Sequence, residues 1–153
     1  MGSKYVVGFY FDSLDNETKR IVLIKKTHPE WQKGLLNGIG GEIEKNETPI
    51  NAMIREFREE TGYFQYDWEL FCKYITKNGD WIYFFKTFGL AVNKLKTVTD
   101  EEVEIYDISE LNMETKNNGI LNQTINNLKW LIPLALDKEN LKCVIDSNYD
   151  KIF

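Results

Sequence analysis

The sequence predicts a single α/β domain over residues 1–153. β-Branched and aromatic residues are concentrated in short segments that precede, separate and follow two stretches with helical spacing of apolar residues. A chain of 153 residues has the usual length of one domain and can bury roughly two-thirds of its unfolded surface. Strands that alternate with helices are typical of α/β proteins, so we expect one sheet packed against helices.

Six segments have the residue types of β-strands, and turn signals separate two pairs of them. Residues 12–16 form a predicted turn between the first two segments. Asn78 and Gly79 mark the tip of a predicted hairpin between the third and the fourth. The predicted strands are Tyr5–Phe11, Ile21–Ile24, Tyr66–Thr76, Trp81–Ala91, Val103–Ile108 and Leu141–Ile145.

Two helices are predicted. In the first, Thr48 is a suitable N-cap, Pro49 fits the first turn and Gly62 fits the position after the last turn. One face of this helix is apolar and comprises Ile50, Met53, Ile54, Phe57 and Thr61. A second, core-packing helix is predicted within Ile120–Leu136, with a disturbance near Pro133. It is predicted by the helical spacing of Leu121, Ile125, Leu128 and Ile132.

Three carboxylates, Glu56, Glu59 and Glu60, share the other face of the first helix. Like charges four residues apart destabilise an isolated helix by a few tenths of a kcal/mol. The alternative interpretation of these three residues is a solvent-exposed acidic face with no ligand. The preceding Gly40 and Gly41 allow a tight, strained backbone that can approach a ligand or turn a carbonyl towards a cation. Because such oxygen ligands suit Mg²⁺ or Mn²⁺, we predict a site that holds a divalent cation against phosphates.

The spacing of glycine and charged residues in this region matches a known signature. Five residues separate Gly41 from Glu47, and seven separate Glu47 from Arg55, which opens the run Arg-Glu-Phe-Arg-Glu-Glu-Thr-Gly. The pattern resembles the complete motif of the Nudix hydrolases, a family that cleaves nucleoside diphosphates linked to another moiety. Only Tyr63 stands where an aliphatic residue is usual. The resemblance implies a Nudix-type α/β/α sandwich with a mixed β-sheet, and a pyrophosphohydrolase activity.

The resemblance also implies a metal site. A diphosphate linkage resists water because the attacking oxygen and the phosphorus both lie in dense negative charge. Bound cations neutralise phosphate oxygens, position water and lower its pKa. By analogy with the family, the carbonyl of Gly40 and the carboxylates of Glu56, Glu59 and Glu60 would coordinate one to three Mg²⁺ ions, with Mn²⁺ as the alternative.

Two further roles follow from the family motif. Glu59 or Glu56 is the favoured general base for the attacking water, and Glu101 in a later acidic loop is the reserve candidate. Arg55 is expected to pair with Glu47 and to hold the glycine segment onto the helix.

The residues that flank the motif favour a nucleoside triphosphate as substrate. The run from Asn37 to Gly41 resembles the Asn-Gly-aromatic-Gly-Gly run of the MutT-like oxidised-purine nucleoside triphosphatases, in which the asparagine reads the base. Lys25 resembles the lysine that lies beside the substrate in those enzymes. Their Trp-Pro-Asp-Asp purine clamp has no counterpart near Asn117 and Asn118. We therefore expect hydrolysis of a (deoxy)nucleoside triphosphate to a monophosphate and pyrophosphate, with Asn37, Lys25 and Gly41 binding the substrate.

Two other functions remain open. One is hydrolysis of RNA 5′ ends or of dinucleoside polyphosphates, and the other is a non-catalytic nucleotide-sensing module. The complete set of charged residues in the motif argues against a sensor, and the lack of proline between Pro49 and Pro133 argues against an ADP-ribose hydrolase. Three aromatic residues are candidates for stacking on a base, although core packing is their commoner role: Trp31, Trp81 and Tyr83.

Charge and composition set the expected partners and compartment. A formal net charge of −5 and a pI near 5.0 argue against a general nucleic-acid or anionic-membrane binder. Cys72 and Cys143 lack a Cys-x-x-Cys spacing, so we expect reduced, buried thiols in the cytoplasm. No apolar run has the length of a membrane span, and the start lacks a signal-peptide layout. The expected partner is a small nucleotide, and the aromatic hairpin from Trp68 to Phe88 is a candidate homodimer face.

Overall fold

The computed structural model describes residues 2–14, 17–111, 124–125 and 127–147. Within these ranges the chain forms eight strands and two α-helices. Their order and bounds are β1 (Lys4–Leu14), β2 (Glu17–Lys25), β3 (Leu36–Asn37), β4 (Ile39–Glu42), α1 (Pro49–Thr61), β5 (Glu69–Ile75), β6 (Trp81–Gly89), β7 (Glu102–Asp107), α2 (Leu128–Ala135) and β8 (Cys143–Asp146).

The strands form one mixed sheet with the order β3-β2-β1-β6-β5-β8. β1 is parallel to β6 and β5 is parallel to β8, whereas the other pairs are antiparallel. Two strands lie off this path, since β4 pairs with β1 and β7 pairs with β2. The predicted mixed sheet is confirmed.

Strand β1 divides one of its edges between two partners. Residues 5–8 pair with β4, and residues 10–14 pair with β2. The opposite edge pairs with β6 along residues 4–12. The sheet therefore forks at Phe9: β4 leads into α1, while β2 carries β3 and β7. Gly38, between β3 and β4, joins the two branches.

Both faces of the sheet are buried because successive side chains of a strand point to opposite faces, and in β1 and β2 both sets are apolar. One set of side chains packs in a cluster with α2 and includes Phe9, Phe11, Ile21, Leu23, Phe84 and Leu128. The other set packs in a cluster with α1 and includes Val6, Tyr10, Val22, Ile24, Met53 and Phe57. Tyr10 and Phe57 stack with ring centroids 5.7 Å apart. One helix on each face makes the α/β/α sandwich that the sequence predicted.

All six predicted strands are present, with changed ends, and β3 and β4 are additional. β1 continues to Leu14, so the predicted turn at residues 12–14 is wrong, and residues 15–16 lie outside the described ranges. Buried Asp12 explains the extension, because its carboxylate accepts from Arg20 of β2 at 2.7 Å and so favours pairing between the two strands. The hairpin between β5 and β6 is confirmed, and Gly79 at its tip has a φ of +83°.

The second helix is shorter than predicted. It spans only Leu128–Ala135 and includes Pro133. Thr124 and Ile125 lie outside it, and residues 120–123 and 126 lie outside the described ranges. The reason is a tertiary contact, since the Ile125 amide donates to the carbonyl of Leu36 in β3 at 3.0 Å instead of joining a helical ladder. Within the described residues, no helix has the length and apolar character of a membrane span.

The aromatic residues of the β5–β6 hairpin mostly serve the core. Four of them are buried in the two core clusters: Trp68, Phe71, Phe84 and Phe85. Phe88 near the end of β6 remains 44% exposed. A homodimer through this hairpin stays a prediction.

Candidate active site on the acidic helix

Helix α1 is held in place by its caps and by its apolar face. The Thr48 hydroxyl accepts from the Asn51 amide at 3.3 Å, and Gly62 ends the helix with a φ of +73°. Met53 and Phe57 are fully buried against the sheet. Because the apolar face is fixed, the acidic face is presented beside β4.

The two glycines of β4 are needed for space. A Cβ on Gly40 would collide with the carbonyl oxygen of Val6 on the neighbouring strand, and a Cβ on Gly41 would collide with the carboxylate of Glu56. Both residues lie in an extended strand, and neither has a positive φ. The expected tight, strained glycine turn is therefore wrong, whereas Gly41 does border an acidic side chain of the motif.

Arg55 braces the segment that enters the helix. Its guanidinium donates to both carboxylate oxygens of Glu47, from Nε at 2.8 Å and from Nη2 at 2.9 Å, and to the carbonyl of Glu42 at 3.0 Å. Glu47 in turn accepts from the amide of Glu44 at 3.1 Å. The structure thus brings Arg55 and Glu47 together and ties residues 42–47 to α1.

The same guanidinium also reaches the acidic face. Nη1 of Arg55 donates to Glu56 at 2.8 Å and to Glu59 at 3.3 Å. The Glu56 side chain is only 12% exposed, whereas that of Glu59 is 55% exposed. Glu56 is therefore enclosed between Gly41 and Arg55, and Glu59 is the accessible carboxylate of the pair.

Glu60 lies beside a second acidic residue, Glu101. The hydroxyl of Thr99 donates to Oε2 of Glu60 at 2.8 Å. Glu101 is 2% exposed and accepts from the ammonium of Lys26 at 2.8 Å and from the amide of Thr27 at 2.6 Å. The acidic loop before β7 is thereby joined to the end of β2 next to α1.

The electrostatics of these carboxylates follow from burial. Burial raises the pKa of Glu56, and the hydrogen bond from Arg55 opposes that rise. Burial also raises the pKa of Glu60; the bond from Thr99 and the charge of Lys26 oppose the rise, while Glu101 and Glu56 add to it. In contrast, the hydrogen bond from Arg55 lowers the pKa of Glu47. Glu56 and Glu60 are therefore acidic groups whose ionised form would gain from a nearby cation.

The donor set fits a divalent cation that is completed by substrate. Within the described ranges, no three carboxylate, histidine or cysteine groups converge closely enough to form a ready-made cage. Mg²⁺ does not require one, because it is commonly bound by one or two carboxylates together with substrate phosphates. Glu56, beside Gly41, and Glu60, beside Thr99, supply oxygen ligands of the required type.

Two of the three predicted substrate residues, Asn37 and Lys25, lie on the paired strands β3 and β2. Asn37 is paired with Ile24, and Lys25 is paired with Leu36. The side-chain oxygen Oδ1 of Asn37 accepts from the backbone amide of Gly38 at 2.8 Å, and its side-chain nitrogen Nδ2 donates to Oε1 of Gln32 at 3.4 Å. Lys25 is exposed. Ile24 packs in the cluster with α1 and Leu36 in the cluster with α2, so the side chains of Asn37 and Lys25 lie on opposite faces of the sheet.

The three aromatic candidates have different settings. Trp31 is 67% exposed in a single 3₁₀ turn between β2 and β3. Trp81 and Tyr83 on β6 stack on each other with ring centroids 6.3 Å apart, and Tyr83 packs against the core cluster that includes α1.

Sequence reasoning missed three residues: Lys26, Thr27 and Thr99. Each contacts a predicted site carboxylate that is 39 to 75 residues away in the sequence. The two adjacent lysines, Lys25 and Lys26, indicated a cation in this region, but the prediction assigned a substrate contact only to Lys25. Thr99, two residues before Glu101, also fits a threonine turn, and Oγ1 of Thr99 does accept from the Glu101 amide at 3.1 Å.

Comparison with known proteins finds similarity in sequence and similarity in structure. The methanol dehydrogenase activator of Bacillus methanolicus is 28% identical over 123 residues, which is 78% of this chain. The match spans 65% of the length of that relative. A MutT protein from Bacillus halodurans has a similar structure, with a TM-score of 0.63, 19% identity and coverage of 91% of this chain and 85% of that chain. The Ap4A hydrolase of C. elegans has a TM-score of 0.55, 13% identity and coverage of 86% and 94%.

At these identities the solved structures show a shared fold and leave the substrate open. The family itself is shown by a different comparison, in which the model of the NUDIX domain matches residues 6–128. That range includes the whole motif from Gly41 to Tyr63. The protein therefore belongs to the family of Nudix hydrolases.

Proposed function

We propose that the protein is a Mg²⁺-dependent pyrophosphohydrolase that converts a nucleoside or deoxynucleoside triphosphate to a monophosphate and pyrophosphate. The observation that carries the proposal is the close fit of Glu56 between Gly41 and Arg55, with Glu59 and Glu60 on the same helix face. Residues 1–153 form one Nudix domain in this proposal, acting in the cytoplasm on a small nucleotide.

The side chains divide the work of the reaction. Glu56, Glu60 and the carbonyl of Gly40 hold Mg²⁺, with Glu59 as a further ligand. When bound, Mg²⁺ neutralises phosphate oxygens and lowers the pKa of the attacking water. Arg55 and Glu47 keep the glycine strand and the helix at a fixed distance.

Glu59 is the base that we favour for the attacking water. It is the most exposed of the three helix carboxylates, and its contact with Arg55, at 3.3 Å, is longer than the 2.8 Å contact of Glu56. Glu101, the reserve candidate, uses both carboxylate oxygens to bind Lys26 and Thr27. Glu59 therefore has more freedom to receive a proton than Glu101 has.

Asn37 and Lys25 support a nucleotide as substrate. Besides its bonds to Gln32 and Gly38, the Asn37 side chain has a second donor hydrogen and a second acceptor site, which suit a purine edge. Lys25 is an exposed cation at the end of β2, where its long side chain can reach phosphate around the end of the strand. Gly41 stays in the proposed substrate set because its missing side chain leaves the carboxylate of Glu56 in place.

The first test is turnover of purified Glu59→Gln and Glu60→Gln variants with Mg²⁺. Loss of a general base or of a metal ligand should reduce kcat roughly a hundredfold or more. Glu139→Gln is the matched control, because Glu139 is an exposed carboxylate near the end of α2. Activity of both motif variants within about threefold of the wild type would overturn the assignment.

The second test is a substrate panel with canonical and oxidised nucleoside triphosphates, diadenosine polyphosphates, ADP-ribose and capped RNA. Pyrophosphate release from triphosphates supports the proposal. Faster turnover of dinucleoside polyphosphates or RNA ends would make these compounds, instead of triphosphates, the substrate. Nucleotide binding without turnover would favour a sensing module.

A further inference from the structure

The loop between β6 and β7 is fastened to α1 and to β2. The amides of Lys96 and Val98 donate to the carbonyls of Thr61 and Glu60 at 3.0 and 3.3 Å. At its other end, Glu101 is buried and binds Lys26 and Thr27. Residues 96–101 therefore lie along the end of the acidic helix with both ends anchored.

Thr99 lies at the centre of this loop and its hydroxyl makes two bonds. Its oxygen accepts from the Glu101 amide at 3.1 Å, and its proton is donated to Oε2 of Glu60 at 2.8 Å. Because the amide occupies an acceptor site of the hydroxyl, the hydroxyl proton is directed at the carboxylate. Only one of the two Glu60 oxygens takes part in this bond.

We propose that Thr99 is a positioning residue that fixes the rotamer of Glu60 for cation binding, and that the Glu101–Lys26 pair holds Thr99 in place. The inference rests on the proposed function, in which Glu60 is a metal ligand. Partners that orient a ligating carboxylate through its second oxygen commonly change metal affinity when they are removed. The bond therefore couples the loop before β7 to the chemistry of α1.

The test compares Thr99→Val, which keeps the shape and removes the hydroxyl, with Thr99→Ser, which keeps the hydroxyl. Mn²⁺ binding to the protein without nucleotide is measured by electron paramagnetic resonance of the free ion. Thr99→Val should weaken Mn²⁺ binding roughly 10- to 100-fold, and Thr99→Ser should stay near the wild type. The Mg²⁺ concentration for half-maximal turnover should rise in parallel for Thr99→Val, with an unchanged Tm.

The Mn²⁺ measurement separates this inference from the catalytic proposal. Weakened Mn²⁺ binding by Thr99→Val supports the positioning role even if no triphosphate is hydrolysed. Equal Mn²⁺ affinity of Thr99→Val and the wild type overturns it, even if the enzyme is active. Equal weakening in Thr99→Ser also overturns it, because the hydroxyl would then not be the group that matters.

A different observation, on the far edge of the sheet, carries a second inference. Cys72 of β5 and Cys143 of β8 are paired directly across two parallel strands, and their sulfurs lie 3.2 Å apart. Adjacent strands are separated by about 4.8 Å, which falls within the Cα separation that a disulfide spans. Both thiols are free in the structure. Cys72 is buried and Cys143 is partly exposed, so an oxidant reaches Cys143 first.

We infer that Cys72 and Cys143 form a reversible disulfide when the protein meets hydrogen peroxide. The Cys143 thiolate attacks one peroxide oxygen, the O–O bond breaks, and the departing hydroxide takes a proton to give water and a sulfenic acid on Cys143. The Cys72 sulfur then attacks Sγ of Cys143, the S–O bond breaks, and hydroxide leaves as water with the Cys72 proton. The two sulfurs lose two electrons, which the peroxide gains.

The disulfide would fasten the outer strand β8 to β5. The ring that it closes runs from Cys72 to Cys143 and contains β6, β7 and α2. Closing a long loop restricts the unfolded chain and stabilises the fold. Oxidation should therefore raise Tm by several degrees.

Thiol titration of the denatured wild type is a direct test, because the chain contains two cysteines. Two thiols should be titrated before peroxide, none after it, and two again after dithiothreitol, with peptide mapping that shows Cys72 linked to Cys143. Cys143→Ser is the control and should keep its Cys72 thiol under the same peroxide dose. Retention of both thiols, conversion to sulfinic acids, or links between molecules would overturn the inference.

Discussion

Gly40 and Gly41 are adjacent, but a side chain at each position would collide with a different neighbour. The space beside Gly40 is filled by the Val6 carbonyl, which belongs to the backbone of the central strand. The space beside Gly41 is filled by the carboxylate of Glu56, which is the end of a flexible side chain. A methyl group at the first position must therefore displace a strand, whereas at the second it displaces only a functional group.

Alanine at each glycine separates these effects. Gly40→Ala should lower the free energy of unfolding by roughly 1–3 kcal/mol, because overpacking against a backbone carbonyl strains the sheet. Gly41→Ala should change stability less and should reduce kcat, because Glu56 must leave its place. Thermal unfolding and turnover of both variants test this pair. Equal losses of stability with equal turnover would contradict it.

The brace between Arg55 and Glu47 gives a pH dependence of known sign. The hydrogen bond from Arg55 lowers the pKa of Glu47 below its ordinary value of 4.5. A carboxylate with a lowered pKa stabilises the fold above its unfolded pKa, and this contribution is lost as the pH falls through the folded pKa. Glu47→Gln should therefore lower Tm near neutral pH, and the difference from the wild type should shrink below pH 4.5.

The control for the pH series is Glu139→Gln, which should follow the wild type at each pH. A constant difference between Glu47→Gln and the wild type down to acid pH would exclude the brace as its source.

The acidic residues of α1 were predictable because their spacing in one helix is a local property. Lys26, Thr27 and Thr99 were not, because each is brought to a site carboxylate by pairing of distant segments. In Lys25-Lys26 the sequence signal was present, and only the fold shows which of the two binds Glu101.

At the scale of elements, α1 was predicted closely because its limits depend on neighbouring residues. Thr48, Pro49 and Gly62 occupy the positions that their local preferences indicate. The segment from Leu36 to Glu42 was not among the predicted strands and forms two short strands, because partners on β2 and β1 supply the pairing. Ile125 likewise lies outside the helix that was predicted to include it, because its backbone amide bonds to β3.

The N-cap of α1 allows a test of this local stability. Thr48→Ala removes the hydroxyl that accepts from Asn51 and should reduce the free energy of unfolding by about 1 kcal/mol. Thr48→Ser retains the hydroxyl and should stay close to the wild type. Denaturant titration of the three proteins measures the difference, and equal losses in both variants would show that the hydroxyl does not matter.

At the scale of the molecule, the proposed cation site and the stability of the fold are linked. Glu56 and Glu60 are partly buried acids on a helix that packs against the whole sheet. A cation that binds only the folded state raises stability, by about 2.7 kcal/mol at a hundredfold excess over Kd. Mg²⁺ or Mn²⁺ should therefore raise the Tm of the wild type, and a chelator should reverse the rise.

Glu60→Gln is the variant for that measurement, and Glu139→Gln is its control. The Tm of Glu60→Gln should respond weakly to the cation, whereas that of the control should respond as the wild type does. An equal rise in all three proteins would place the cation elsewhere.

The fork at Phe9 has a consequence for how new specificities can arise in this molecule. The branch through β4 and α1 carries the acidic helix, and the branch through β2, β3 and β7 carries Asn37 and Lys25. Amino-acid changes in the second branch, apart from Lys26 and Thr27, can therefore accumulate while the proposed catalytic residues of α1 keep their support from β1. A library for altered nucleotide preference belongs in Lys25 and residues 28–37, outside Lys26 and Thr27, which bind Glu101, so that selection can act on recognition while the proposed catalytic residues stay intact.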